Sequence, residues 1–129
     1  MPYVEVLSSA DAPPEAKQAF VTTLTQAIVA EFNVPPTAVT VFFLPAPPSH
    51  YAYRGELAHQ AADARVFIKI HAYRRSAQPR RAVAMPISEA ACRCFGTTLS
   101  EVSIYFLERD FDEVVHDGAL VSDGSLPAL

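Results

Sequence analysis

Pro2 is the first residue of this chain whose type could do chemistry. It directly follows Met1, and a small second residue such as proline permits removal of an initiator methionine, which would leave a free secondary amine. An amine at the start of an apolar strand is desolvated, which disfavours its charged form and lowers its pKa toward neutrality. It could then act as a general base or acid. Position alone does not separate that role from an accident of the terminus. A second group is basic. Arg74, Arg75, Arg80 and Arg81 crowd the start of a helical stretch, where Arg80 and Arg81 fit a solvated face. His50, His59 and His71 share no metal-ligand spacing with a Cys, Asp or Glu, so no zinc site is expected. Cys92 and Cys94 stand two apart on a helical stretch, face different sides, cannot bridge each other there and fit the role of small core residues.

The elements that must hold these residues follow from composition and periodicity. A chain of 129 residues that is 50% hydrophobic, 19% charged and 10% aromatic is one compact domain rather than a disordered polymer. Ten Lys and Arg against 14 Asp and Glu give a formal charge of −4, which argues against a nucleic-acid surface. Apolar runs such as residues 39–45 and 102–107 fall far short of the roughly 20 residues that cross a bilayer. The N-terminus lacks a basic start followed by a long apolar core, so the expected location is cytoplasmic.

Sliding the chain on itself by 63 residues superimposes Ala27 on Ala90, Phe32 on Phe95, Val39 on Val102, Phe43 on Phe106, Gly55 on Gly118 and Leu57 on Leu120 without a gap. The chain thus divides into two copies, 2–57 and 65–120, a linker at 58–64 and a tail at 121–129. Each copy predicts strand, helix, strand and a Gly-containing hairpin. Residues 2–7 and 66–72 are the first strands. Helix one follows Asp11 or Ala12, with Pro13 and Pro14 in its first turn and an apolar stripe of Ala16, Phe20, Leu24, Ala27 and Ile28. Helix two starts at a Ser76 N-cap and turns Val83, Ile87, Ala90, Ala91 and Cys94 inward. Asn33 and Gly96 stand where left-handed C-caps belong. Pro86 is a misfit inside helix two. The second strands, 39–44 and 102–107, are apolar on both faces. The expected fold is α+β: tandem β-α-β units forming a four-stranded sheet with two helices on one face, the other face covered by oligomerisation.

The opening Pro-Tyr-Val-Glu-Val at residues 2–6, Thr25-Gln-Ala27 in helix one, Ser49-His-Tyr-Ala-Tyr-Arg-Gly-Glu-Leu-Ala58, Arg75-Ser76 and Val115-His116-Asp117-Gly118 together resemble the tautomerase superfamily over nearly the whole length. The two-copy layout resembles its fused members, the group that includes cis-3-chloroacrylic acid dehalogenase and malonate semialdehyde decarboxylase. The resemblance implies that Pro2 is the catalytic amine and that Arg75, whose planar fork suits a carboxylate, holds the substrate. It further implies that Tyr105 is a pocket tyrosine and that His116, beside Asp117, stands where the dehalogenase has its water-activating glutamate. Arg74, Tyr51, His50 and Asp117 are further substrate-binding candidates. Ala12 takes the place of Arg75 in copy one. Ile28 stands at the dehalogenase's helix-one histidine, Ala72 or Tyr73 at the first of its two arginines, and Ala38 at the decarboxylase's aspartate, so those activities fit less well. The function implied is a cofactor-independent, homotrimeric tautomerase acting on a small carboxylate, an enol or 2-oxo acid. The alternatives are a hydratase, dehalogenase or decarboxylase of a three-carbon acid, and a non-catalytic trimeric ligand-binding protein.

Overall fold

A computed structural model describes residues 1–59 and 63–124. Its elements are β1 (Tyr3–Ser8), α1 (Pro14–Phe32), β2 (Thr40–Pro45), a hairpin of β3 (Ala52–Tyr53) and β4 (Glu56–Leu57), β5 (Val66–Tyr73), α2 (Ala77–Phe95), β6 (Val102–Arg109), and a hairpin of β7 (Val115–His116) and β8 (Ala119–Leu120). The helices recur at an offset of 63 residues at both ends, from 14 to 77 and from 32 to 95. The hairpins follow the same offset. Of the segments set apart in the sequence as linker and tail, residues 60–62 and 125–129 lie outside the described residues, and Val121–Asp123 form a short 3-10 turn.

Local chemistry sets the element ends. Pro13 occupies the N-cap of α1 and Pro14 its first turn, where a missing N–H leaves no orphan donor. Just upstream, the Asp11 carboxylate accepts the Ala12 N–H at 2.8 Å and pairs with Lys17 at 2.8 Å, which holds its pKa below the usual range. Asn33 (φ 55°) and Gly96 (φ 63°) close α1 and α2 in the left-handed conformation. Ser76 sits at the N-cap of α2, but its hydroxyl makes no capping bond. Pro86 does not break α2, because it lies on the solvent side beside exposed Met85. There the Ala82 carbonyl that loses its N–H partner is open to hydration.

The sheet order is β2-β1-β5-β6, with β1/β2 and β5/β6 parallel and β1/β5 antiparallel at the centre. This order relates the two copies by an approximate two-fold axis between β1 and β5. Both helices pack on one face. Val4 and Val6 of β1 and Val66, Ile68 and Ile70 of β5 are fully buried against Phe20, Leu24 and Ile28 of α1 and Val83, Ile87 and Ala91 of α2. Each such aliphatic side chain contributes about 1.5–3 kcal/mol on burial. The opposite face carries no helix among the described residues. Phe42 (54% exposed), Leu44, Phe67 and Tyr105 (52%) stand open on it, around a Glu5–His71 pair at 2.7 Å with Tyr3 stacked on the imidazole at 4.1 Å.

The central antiparallel pairing decides what meets at each end of the sheet. Tyr3 pairs with His71, so the start of β1 lies beside the end of β5. The parallel pairs bring Thr40 and Arg109 to that same end. The helices run back across the sheet, which adds the last turn of α1 and the first turn of α2. Ser8, Pro45 and Val66 gather at the other end.

Candidate active site

Pro2 is fully buried at the first of these ends, and its carbonyl accepts the Thr40 N–H at 3.4 Å. Two cavities open at this end of the sheet, with Tyr73 in the wall of both and Met1 in the wall of the second. One, of about 700 Å³, is bounded by Phe32 and Asn33 from the end of α1, by Arg74, Arg75 and Ser76 entering α2, and by Arg109 and Asp110 leaving β6. The other, of about 570 Å³, is bounded by Met1, His116, Asp117, Leu120 and Asp123. Tyr73 leans on Phe111 with ring centres 4.8 Å apart. Burial pushes its phenol upward, so it stays neutral and able to donate a hydrogen bond at ordinary pH.

Arg75 is held by several contacts. Its guanidinium stacks on Phe32 with 4.6 Å to the ring centre. Nη1 donates to the Tyr73 carbonyl at 2.7 Å and Nη2 to the Phe32 carbonyl at 3.2 Å. The backbone N–H of Arg75 donates to Glu108 at 2.7 Å, and the same carboxylate pairs with Arg80 at 3.3 Å. The side chain therefore caps the last turn of α1, where a cation is favoured and a carbonyl lacks a helical partner. Sequence alone presented this fork as wholly available to a ligand. In the fold part of it is committed to backbone, while Nε is buried without a partner. Burial lowers the guanidinium's pKa and Glu108 opposes the shift, and arginine remains a cation. Arg74 is exposed and pairs with Asp110 at 3.1 Å, which raises its pKa. Arg109 donates to the Glu108 carbonyl at 3.2 Å.

His116 and Asp117 sit on the β7–β8 turn. Asp117 (φ 54°) and Gly118 (φ 81°) are consecutive left-handed residues, the signature of a tight two-residue hairpin. Arg54 (φ 56°) and Gly55 (φ 78°) repeat it in the first copy.

A family model described as Tautomerase enzyme matches residues 2–61, spanning the whole first copy. The first copy is similar to the tautomerase family. Both copies together carry its fold. The crystal structure of a native fused 4-OT superposes with a TM-score of 0.83 at 19% identity, over 95% of this chain and 98% of that one. Pt0534, solved after inactivation by 2-oxo-3-pentynoate, gives 0.80 at 19% identity over 94% and 97%. The macrophage migration inhibitory factor-like protein of Entamoeba histolytica gives 0.73 at 13% identity over 92% and 96%. No curated protein sequence matches.

This tautomerase fold gathers Pro2, Arg74, Arg75, His116 and Asp117 at one end of the sheet and leaves the other expected site residues elsewhere. Tyr105 is mid-strand on the helix-free face, edge-on to Phe67 at 6.1 Å, and lines neither cavity. His50 and Tyr51 lead into the β3–β4 hairpin at the opposite end of the sheet, where the Tyr51 hydroxyl is buried without a partner. At that end Ala12 replaces Arg75, and Arg65 stands at the position equivalent to Pro2. Its N–H donates to the Ser9 hydroxyl at 2.9 Å, and its guanidinium pairs with Glu101 at 3.1 Å and lies 4.3 Å from the centre of the Tyr53 ring. The sequence did not mark Tyr73, Arg109 or Asp123 as site residues. The strand register, which puts the ends of β5 and β6 beside Pro2, is the signal that finds the first two. Asp110, Asp112 and Glu113 form an exposed acidic cluster, in which Asp110 and Glu113 serve as a capping box.

Proposed function

We propose that this chain is a cytoplasmic, cofactor-independent tautomerase that forms a homotrimer and uses the amine of Pro2 to move a proton on a small enol or 2-oxo acid. The observation that carries the proposal is the buried Pro2 at the end of the sheet where two cavities open, one lined by Arg74, Arg75 and Arg109 and the other by Met1, the residue before Pro2. Neutral Pro2 nitrogen takes a proton from the enol oxygen or the α-carbon and returns it at the other position. Arg75 holds the carboxylate, with its fork steadied by the Phe32 and Tyr73 carbonyls. His116, on the wall that Met1 shares, polarises the oxygen where charge develops. Tyr105 faces away from the helices, so it would reach a site only across a subunit interface. Fused 4-OT is described as a trimer in symmetric and asymmetric forms, which supports the assembly.

The test is an N-terminal extension that leaves the Pro2 side chain intact, verified as uncleaved by intact mass. Blocking the nitrogen should abolish turnover of an enol such as that of phenylpyruvate while fold and assembly persist. Full activity in the extended protein would overturn the mechanism. Asp117 and Asp123 on the cavity wall also favour a second reading, in which they orient a water for hydration and Pro2 is the acid. The pH profile separates the two, since activity rises as the amine loses its proton in a tautomerase and falls in a hydratase.

A further inference from the structure

Resting on this proposed function, we infer that the substrate carries a single carboxylate and that its far end is neutral or cationic, so dicarboxylates are disfavoured. The two cavities that meet at Tyr73 differ in sign. The first is lined by Arg74, Arg75 and Arg109 against Glu31 and Asp110, and Asp110 is already paired with Arg74. The second is lined by His116, Asp117 and Asp123 and by Met1 at the amino terminus, with no Lys or Arg side chain among the described residues of its wall. A ligand anchored by its carboxylate in the first cavity and passing Tyr73 sends its other end toward the two aspartates. A second carboxylate there meets like charge, whereas an ammonium, amide or hydroxyl finds acceptors. The left-handed pair Asp117 and Gly118 fixes the turn that presents the first aspartate, so it cannot easily withdraw.

The test reads binding, which does not depend on turnover. Protein beginning at Pro2, verified by intact mass, is titrated with ε-aminocaproate, hexanoate and adipate, acids of one length that differ only at the far end. Tightest binding is expected for ε-aminocaproate and weakest for adipate, each step about threefold or more, the scale of a partly exposed ion pair. Asparagine tolerates the left-handed backbone at position 117, so the double variant Asp117→Asn, Asp123→Asn keeps the turn and should bring the three acids within about twofold of each other. Arg75→Ala should weaken all three together. Adipate binding as tightly as hexanoate, a ranking that survives in the double variant, or no saturable binding of any of the acids overturns the inference. The proton-transfer proposal fails separately, through undiminished turnover when Pro2 is blocked.

Discussion

Arg75 has two tasks, because the guanidinium that faces the basic cavity also satisfies a carbonyl at the end of α1. Arg75→Ala should therefore cost conformational stability of about 1–3 kcal/mol through the orphaned Phe32 carbonyl, read from the urea midpoint. It should also cost about 2–4 kcal/mol of transition-state binding, read from kcat/KM with a carboxylate substrate. A variant that lost activity alone would show that the helix cap is dispensable. Tyr73 gives a pH signature. Its folded pKa is raised by burial, so the stability present below the ordinary tyrosine value of about 10 is lost as pH rises through the folded value. Tyr73→Phe should flatten that part of the decline when urea midpoints are compared at about pH 9 and about pH 11. Proline at position 2 and the paired arginines at the start of α2 were legible as residue types. That Arg75 grips the end of α1 was not, because residues 32 and 75 are brought together only by the packing of one copy on the other.

At the scale of elements, hydrophobic periodicity found the helices and missed only ends. The inward set of α2, Val83, Ile87, Ala90, Ala91 and Cys94, is the buried set, since a 3.6-residue stripe has one way to face a sheet. Strand ends moved more. β1 runs Tyr3–Ser8 rather than 2–7, and β6 reaches Arg109, beyond residue 107, because ladder pairing with β5 rather than side-chain polarity sets where a strand stops. Pro86 is the element-scale test. Its exposed position lets water reach the orphaned Ala82 carbonyl, yet the ring still strains the preceding turn. Pro86→Ala should stabilise the protein by about 1–3 kcal/mol in chemical denaturation. A destabilised variant would mean that the proline shapes the helix for packing.

At the scale of the whole molecule, the helix-free face is the surface that the proposed assembly would cover. An apolar surface formed by Phe42, Leu44, Phe67 and Tyr105 asks for a partner. Phe42→Asp places a charge on it without touching the core, so light scattering should show a trimer for the parent chain and monomers for the variant. A parent chain that is monomeric at micromolar concentration would count against the assembly. The sequence announced the uncovered face through its apolar second strands. It could not announce which end of the sheet would hold His50 and Tyr51, because that depends on the antiparallel pairing of β1 with β5.

Arg65, equivalent to Pro2 under the internal repeat, gives the fusion a chemical meaning. A nitrogen inside a polypeptide is an amide, whose lone pair is delocalised into the carbonyl and takes up no proton at neutral pH. The N–H of Arg65 donates to Ser9 and does nothing else. Joining two β-α-β units end to end therefore retires one of two equivalent amines irrespective of which side chain follows. The second unit's opening residue is a brace: its guanidinium holds Glu101 and lies against Tyr53.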